Sequence, residues 1–252
     1  MKKLLLIFLL LPFTLFSQYS VVSSANIDTI YMDSNGKVIT YLEDYSEIYD
    51  YWINPTIYQN KYYNGQDISG TLRDSKSNIW QIRSTIQFSS TYFTFTYGSG
   101  LSISDLSSTR KDNIYVFFIF SSIYNPRTPF QIFDESADIC SISSISNDVI
   151  VAYDGNTIIS TGYNLGISGW TLFEFYYEKG DSIGIRINNG EWFQTTDSVN
   201  HTITSNLILS KPVSTAQIHK LSESIIYFSN DPYNSIYNDA IRAKLNYKYN
   251  FY

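Results

Sequence analysis

The sequence predicts an all-β protein, and its composition and its segment pattern carry that prediction. Aromatic residues make up 17% of the 252-residue chain, with 23 Tyr, 16 Phe and 4 Trp, and such side chains favour half-buried pleated surfaces. About a dozen short apolar or alternating segments are separated by turn residues, as in a β-sandwich or barrel. Charged residues are only 16% of the chain, which argues against a coiled coil or a charged helical bundle.

The first 17 residues have the features of a secretory signal peptide. Lys2 and Lys3 precede an apolar run of 13 residues at positions 4–16, which is shorter than the roughly 20 residues of a membrane-spanning helix. We therefore expect cleavage before Gln18 and an exported protein that is periplasmic, at the cell surface or released. We expect a single domain over residues 18–252, without a transmembrane segment in the mature chain.

The first predicted element is a β-hairpin at residues 27–42, turning at Asn35-Gly36, because Asn-Gly supplies the positive φ angles of a tight turn. Residues 43–77 are rich in Tyr, Asn, Asp and Gly, and we interpret them as a long irregular loop. Further strands are predicted at residues 79–83, 85–88, 92–96, 114–120, 129–133, 149–153, 157–160, 170–177, 182–187, 191–195, 207–209 and 221–228.

Two of the later connections have clear turn signals, and the chain ends in a helix. Residues 178–181 (Glu-Lys-Gly-Asp) and Asn189-Gly190 predict hairpin turns on either side of the strand at 182–187. From Ser235 onward, Ala240, Ile241 and Leu245 fall at helical spacing and predict a short C-terminal helix.

Three segments share their order with a known family of secreted proteins. Residues 170–192 run from a Trp strand through a Gly-Asp turn and a second strand to an Asn-Gly hairpin. Residues 221–230 read Leu-Ser-Glu-Ser-Ile-Ile-Tyr-Phe-Ser-Asn, like a final strand, and residues 241–249 read Ile-Arg-Ala-Lys-Leu-Asn-Tyr-Lys-Tyr, like a closing helix. Together they resemble the laminin-G-like, concanavalin-A-like jelly-roll family. The chain departs from that pattern at Ser89-Ser90, where the family often has Asp-Gly, and at Asn250, where it often has Gly.

The resemblance implies a jelly-roll sandwich of two antiparallel sheets with a short C-terminal helix. It also implies ligands held by loops or by a concave face. Because this fold hosts lectins, adhesion modules and hydrolases, it does not assign a function by itself. We expect a secreted, non-enzymatic recognition module that binds a carbohydrate or another cell-surface polymer. The alternatives are a glycoside hydrolase or lyase with a non-standard carboxylate site, and a structural surface protein.

The carboxylates do not form a recognised catalytic pattern. Related β-glucanases place three acids as Glu-x-Asp-x-x-Glu along one strand, and that string is absent. Glu174 and Glu178 would share a face, but we interpret them as a solvated position and a turn residue. Glu223 interrupts the last predicted strand, where a lone carboxylate is usually a structural hydrogen-bond acceptor. The sequence therefore predicts no catalytic residue.

No cofactor or metal site is predicted, although calcium stays an alternative. Asp154, Asn156, Asp181 and Asp197 could supply oxygen ligands, but their spacing matches no known calcium loop, and turn formation explains them as well. One cysteine and two distant histidines offer no transition-metal pattern. The net charge of −6 lacks the basic surplus of a nucleic-acid-binding domain, so we expect no nucleic-acid partner.

Aromatic residues in the 43–77 segment give the candidate binding site. Sugar C–H faces stack on aromatic rings, and binding sites combine an apolar floor with a few placed polar groups. Trp52 has the largest ring and is flanked by Asp50 and Asn54, while Tyr62 and Tyr63 precede a predicted turn at Asn64-Gly65. We therefore predict Trp52, Tyr62 and Tyr63 as the ligand-binding platform. The alternative is that these rings belong to the core.

Overall fold

The computed structural model describes residues 20–24, 27–32, 38–41, 49–104, 112–123, 130–133, 138–145, 148–153, 156–164, 169–196, 206–212, 215, 217–230 and 235–249. The chain divides into two compact units. Unit 1 comprises residues 1–48 and 233–250 with Tyr252, and unit 2 comprises residues 49–232 with Phe251. The single domain over residues 18–252 stays a prediction.

Unit 1 contains the predicted hairpin and the predicted helix. Its elements are β1 (Ser20–Ser24), β2 (Ile27–Met32), β3 (Val38–Tyr41) and α1 (Ser235–Tyr249). β2 pairs antiparallel with both β1 and β3, while the turn at Asn35-Gly36 lies outside the described residues. Ala240, Ile241 and Leu245 are buried along α1, as their helical spacing predicts.

Unit 2 contains the other described strands. They are β4 (Tyr51–Ile53), β5 (Asp67–Arg73), β6 (Ile79–Phe88), β7 (Phe93–Phe95), β8 (Gly100–Ser104), β9 (Asn113–Ile123), β10 (Phe130–Phe133), β11 (Asp138–Ile145), β12 (Asp148–Tyr153), β13 (Asn156–Ser160), β14 (Thr171–Glu178), β15 (Ser182–Ile187), β16 (Phe193–Thr196), β17 (Asn206–Leu209) and β18 (Ile218–Ser229). A short 3-10 helix at Pro55–Tyr58 follows β4.

These strands form one antiparallel sheet that folds over on itself. Its order is β13-β12-β11-β10-β17-β8-β6-β7-β18-β9-β14-β15-β16, with β4 beside β18 and β5 beside β6. A single hydrophobic cluster includes Val151 and Leu207 from one half of the sheet and Phe118 and Phe173 from the other. The all-β, two-sheet jelly-roll sandwich is therefore confirmed, with one short C-terminal helix.

Strand β6 passes from one layer of the sandwich to the other. Its first half pairs with β8, from Gln81 to Arg83, and its second half pairs with β7, from Ile86 to Phe88. Between the halves, Ser84 has a φ of 58°, and the register with β5 shifts at this point. Such irregularities let one strand turn a corner between packed sheets. Two separately predicted strands, 79–83 and 85–88, are thus one bent strand.

The central strands have a core face and an outer face. On β9, Ile114, Val116, Phe118 and Phe120 join the core cluster, so the alternate residues 115, 117, 119 and 121 lie on the outer face. Residues 113–120 are all buried. The uninterrupted apolar run of β9 reflects burial on both faces, as its sequence pattern predicts.

The segment 43–77 and the second hairpin turn also differ from the sequence prediction, and β8 and β11 were not predicted. Residues 43–77 are not one irregular loop, because β4, the 3-10 helix and β5 lie within them. These elements escape a periodicity search, since β4 has three residues and β5 buries only Ile68 and Leu72, on either side of a bulge. The second hairpin turn is centred on Asn188 and Asn189, which have φ of 48° and 57°, rather than on Asn189-Gly190.

Within the described part of the chain, no helix has the length and apolarity needed to cross a bilayer.

Candidate functional site

Trp52 lies on β4 with its ring on the outer face. Its neighbours Tyr51 and Ile53 belong to the core cluster, so alternation points the indole the other way. The indole Nε1 donates to Oε1 of Glu223 over 2.8 Å, and the ring meets Tyr49 edge-on with 5.7 Å between centroids. Glu223 is 4% exposed. Its predicted role as a structural acceptor is confirmed.

A buried carboxylate fixes the backbone beside Trp52. Asp74 is 4% exposed, and its Oδ2 accepts from the backbone N–H of Trp52 at 3.3 Å and from Nε1 of Trp80 at 3.1 Å. Its Oδ1 accepts from the backbone N–H groups of Lys76 and Asn78, each at 2.9 Å. A buried carboxylate with this many donors is well satisfied, so Asp74 anchors the segment that carries Trp52.

Tyr62 belongs partly to the core. Its ring packs against Phe88 at 5.7 Å and Tyr58 at 6.3 Å between centroids, and it is half-buried. The ammonium of Lys61 lies 5.1 Å from its centroid, on the solvent side of the ring, since Lys61 is exposed. Tyr62 therefore offers a ligand only part of one ring.

Tyr63 is the outward-facing member of the predicted platform. It is 73% exposed and begins a tight turn in which Gln66 N–H donates to its carbonyl over 3.0 Å. Gly65 has a φ of 84°, the left-handed conformation that this position of a turn requires. The Gln66 side chain accepts from the Tyr63 N–H at 3.1 Å. The turn predicted at Asn64-Gly65 is thus present and presents Tyr63 to solvent.

The Tyr63 turn is tied to β6 and to the hairpin that follows β6. Gly65 N–H donates to the Phe88 carbonyl, and Phe88 N–H donates to the Gln66 carbonyl, both over 2.8 Å. Asn64 Oδ1 accepts from the backbone N–H of Ser90 at 2.7 Å. Five hydrogen bonds, two within the turn and three from it to residues 88 and 90, hold its backbone in one conformation, so little conformational entropy is left to lose on binding.

The structure brings Tyr62 and Tyr63 together but attaches Trp52 to different neighbours. Trp52 contacts Tyr49 and Glu223 on the outer face, whereas Tyr62 packs with the core cluster. The predicted platform is therefore divided: Tyr62 and Tyr63 are adjacent, whereas Trp52 has a different set of contacts.

The sequence did not reveal a second candidate group, which comprises two aromatic residues, Tyr92 and Trp170, and one cation, Lys220. The rings of Tyr92 and Trp170 lie 5.7 Å apart between centroids, and Nζ of Lys220 lies 4.9 Å from the centroid of Tyr92. All three side chains are half-buried. Nothing local could have revealed this group, because its members come from a hairpin loop, the residue before β14 and the start of β18.

Strand register places polar side chains in line with this group. Lys220 lies opposite Ser121 on one side and Thr94 on the other, and Thr94 lies opposite Gln87. The pairing of Thr171 with Phe120, continued by one residue, places Trp170 beside Ser121. We call this line of outer-face residues, Trp170, Ser121, Lys220, Thr94 and Gln87 together with Tyr92, the outer strip.

The interpretation of Glu174 as a solvated position is wrong. Glu178 does begin a turn, in which Asp181 N–H donates to its carbonyl over 3.1 Å, but its side chain is buried as well. Glu174 is 1% exposed and Glu178 is 6% exposed. Glu174 accepts from Nη2 of Arg186 over 2.7 Å, and Glu178 accepts from the Tyr115 hydroxyl over 2.7 Å. Burial, followed by that hydrogen bond, raises the pKa of Tyr115 well above its usual value. The sequence misled here because both acids lie on β14, which is covered on both faces.

The geometry of these acids does not match a glycoside hydrolase. Both acids are buried, and Glu178 is bound by the Tyr115 hydroxyl, whereas the two acids of such an enzyme must flank the sugar bond that is cleaved. Glu174 is also paired with a guanidinium that stacks on Trp192, at 4.5 Å from the ring centroid. The Glu174–Glu178 pair is therefore structural.

The calcium alternative gains no support from the described residues. Asp181 is exposed and accepts from its neighbour Ser182, while Asp154 and Asp197 lie outside the described residues. Among the residues that the structure describes, no group of three or more His, Cys, Asp and Glu side chains could hold a metal ion.

His219 is buried beside a serine. Its Nδ1 lies 2.8 Å from the Ser210 hydroxyl, and its ring meets Phe120 edge-on at 5.0 Å. Burial lowers the pKa of His219 to about 3, so the imidazole is neutral at physiological pH. Ser210 and His219 are 1% and 0% exposed. A nucleophilic pair must reach its substrate, so this pair serves the fold rather than catalysis.

No protein-family model matches the sequence, and comparison with curated proteins finds no match. Solved structures do match. The binding domain of botulinum neurotoxin serotype C1 matches with a TM-score of 0.59 and 12% identity, over 81% of this chain and 54% of that one. The botulinum neurotoxin serotype D ligand-binding domain in complex with N-acetylneuraminic acid matches with a TM-score of 0.52 and 10% identity, over 71% of this chain and 50% of that one.

A third similar structure is that of botulinum neurotoxin type C, whose cell entry is described as dependent upon interaction with two ganglioside molecules. It has a TM-score of 0.55 and 11% identity, over 79% of this chain and 52% of that one. The chain thus spans about half the length of the solved structures it matches. Identities this low show a shared fold, the lectin-like jelly roll, and nothing finer.

Proposed function

We propose that the protein is an exported recognition module that binds a glycan or another cell-surface polymer without turning it over. The observation that carries the proposal is Tyr63, whose ring is 73% exposed on a turn that is held to β6 by backbone hydrogen bonds. Tyr62 supplies a second, partly covered ring beside it, and Trp52 supplies a ring on the outer face.

The Tyr63 turn has the properties of a sugar-binding subsite. A large ring held outward on a rigid backbone contacts the C–H face of a sugar at low entropic cost. Exposed polar side chains lie close to it in sequence: Lys61, Gln59, whose Nε2 donates to the Ser90 carbonyl, and Asn64, whose Oδ1 accepts from the Ser90 N–H. Their amide and ammonium groups can donate to sugar hydroxyls.

The comparisons support a glycan ligand through the fold. The similar neurotoxin domains include one in complex with N-acetylneuraminic acid and one that is linked to gangliosides. We extend this to membership of the laminin-G-like, concanavalin-A-like group on the strength of the segments at 170–192, 221–230 and 241–249. The acids of β14 are buried and bound to Arg186 and Tyr115, which favours binding over hydrolysis.

The test is glycan binding by the mature chain, residues 18–252, with one matched pair of variants. A glycan array identifies a bound saccharide, and isothermal titration then compares wild type with Tyr63→Ala and Tyr97→Ala. Tyr97 is the matched control because it is 60% exposed and lies outside the turn. We expect Tyr63→Ala to weaken binding by about 1–3 kcal/mol, Tyr97→Ala to bind like wild type, and both to melt like wild type.

Two outcomes would overturn the proposal. If the array finds no bound saccharide, the protein is not a glycan-binding module, and a role in protein–protein contacts becomes the better explanation. If wild type releases reducing ends from a polysaccharide and Glu174→Gln or Glu178→Gln abolishes the release, the protein is an enzyme. Equal affinity of wild type and Tyr63→Ala would place the site away from the turn.

A further inference from the structure

We propose that the outer strip binds the carboxylate-bearing sugar of an acidic polysaccharide, with Lys220 as the residue that contacts the carboxylate. This inference rests on the proposed function, because it assigns a ligand class to a glycan-binding protein. It depends on residues other than the Tyr63 turn, so the two can be tested separately.

The first argument is the state of Lys220. Its ammonium lies 4.9 Å from the Tyr92 centroid, and the side chain is half-buried. In contrast, Lys179 pairs with Asp112 and Arg186 pairs with Glu174. Among the described residues, no carboxylate lies within ion-pair distance of Lys220. A half-buried ammonium over an aromatic ring attracts an anion more strongly than a fully solvated one, because less water screens it.

The second argument is the shape of the aromatic pair. The rings of Tyr92 and Trp170 are tilted by 49° at a centroid distance of 5.7 Å, and both stay half-exposed. Two rings on an otherwise pleated surface provide the apolar floor that a pyranose face needs. Because Lys220 Nζ lies over the Tyr92 ring, the group combines aromatic surface with one cation, which matches a uronic acid better than a neutral sugar.

The third argument is the length of the strip. From β14 through β9, β18 and β7 to β6 there are four strand spacings, or about 19 Å at ~4.8 Å each. Ser121, Thr94 and Gln87 provide hydroxyl and amide groups along this line. The surface therefore accommodates an oligosaccharide rather than a single sugar.

Overall charge argues for a local interaction and against a diffuse one. The chain carries a net charge of −6, which repels polyanions at long range. Binding of an acidic glycan must then depend on a specific cation. We expect a weak dependence of affinity on salt, in contrast to the steep dependence of proteins that bind polyanions through a basic surface.

The strip and the Tyr63 turn are joined by one hairpin. Ser89 N–H donates to the Tyr92 carbonyl over 2.9 Å, and the adjacent Ser90 N–H donates to Asn64 of the turn. A chain of sugars lying on the strip can therefore extend along this hairpin towards Tyr63, which makes the strip a subsite of the proposed binding surface.

The experiment uses a ligand pair with the same sugar backbone, in which the carboxyl groups are either charged or masked as methyl esters. Isothermal titration measures binding of tetragalacturonic acid and of its fully methyl-esterified form to the mature chain. The variants are Lys220→Met, Lys220→Arg and Lys76→Met, where Lys76 is the control because it is also half-buried and lies outside the strip. We expect wild type, Lys220→Arg and Lys76→Met to prefer the acid about tenfold or more, and Lys220→Met to lose that preference.

The result also separates this inference from the proposed function. If wild type binds neutral saccharides on the array but shows no preference for the acid over its ester, the acidic subsite is wrong and glycan binding stands. If Lys220→Met keeps the full preference for the acid, another residue binds the carboxylate and the inference is overturned. If no saccharide binds at all, both fail.

Discussion

The indole N–H of Trp52 donates to the carboxylate of Glu223 over 2.8 Å, and this bond joins residues 171 positions apart in the chain. It connects β4, a strand of three residues, to β18, the strand that spans twelve. Glu223 lies at a register shift of β18. The hydrogen bond to Trp52 therefore also fixes the orientation of the Glu223 side chain at this irregularity.

We predict that Trp52→Phe lowers the free energy of unfolding by about 1.5–3 kcal/mol, the usual value for a hydrogen bond to a charged group. Phe keeps a ring but has no N–H, so the buried Glu223 loses that donor. A double-mutant cycle with Glu223→Met, which removes the acceptor, gives the coupling between the two residues when measured by urea denaturation. Glu191→Met serves as the control because Glu191 is exposed. Additive effects of the two substitutions would contradict the prediction.

The buried ion pair of Arg186 and Glu174 leads to a second prediction. Glu174 is 1% exposed, so Arg186→Met leaves a buried carboxylate without its ion-pair partner. Breaking such a pair from one side costs about 3–5 kcal/mol, whereas replacing both partners is often nearly neutral. We therefore expect Arg186→Met to destabilise the protein by about that amount.

The double variant Arg186→Met, Glu174→Leu provides the comparison for the ion pair. We expect it to recover most of the lost stability, as measured by denaturant midpoints. If the double variant is less stable than the single one, the carboxylate has stronger partners than the guanidinium, and the assignment of Arg186 as its main partner is wrong.

Acid conditions should destabilise the fold through His219. Burial lowers its pKa to about 3, whereas the unfolded chain has a value near 6.5. Between these values the unfolded state binds more protons than the folded state, so stability is present above pH 6.5 and is lost as the pH falls. From pH 7 to pH 4.5 the loss through this one residue should be about 2–3 kcal/mol.

The measurement compares the free energy of unfolding of wild type and His219→Gln, obtained by urea denaturation at several pH values. The difference isolates His219, because the other titrating groups are present in both proteins. We expect the wild-type stability to fall more steeply below pH 6.5 than that of the variant. Parallel curves would show that His219 titrates normally in the folded protein.

Export predicts a specific mature N-terminus. Intact-mass spectrometry of protein recovered from the expressing bacterium should show loss of residues 1–17 and a chain that begins at Gln18. Replacing Leu5, Leu6 and Ile7 with Asp should retain the precursor in the cytoplasm, because the apolar run is what export recognises. A mature protein that still carries Met1 would contradict the prediction.

The sequence by itself determined the fold class and the positions of most elements. Alternation at Phe93 and Phe95, the apolar run of residues 114–120 and the helical spacing of Ala240, Ile241 and Leu245 all reappear as buried faces. These signals are local, since the pleat repeats every two residues and the helix every 3.6. The signal that predicts the exposed turn at Tyr63 was also local, because Asn-Gly directly follows the two tyrosines.

Only the tertiary structure decided which residues meet across strands. Alternation shows that Lys220 and Ser121 point away from the core, but not that they lie side by side with Trp170 and Thr94, because register depends on pairing between distant segments. The burial of Glu174 and Glu178 has the same origin: every residue of β14 is buried, and the two acids meet Arg186 of β15 and Tyr115 of β9 through strand pairing. Pairing and burial are long-range properties, so the outer strip and the Arg186–Glu174 pair become visible only in the folded chain.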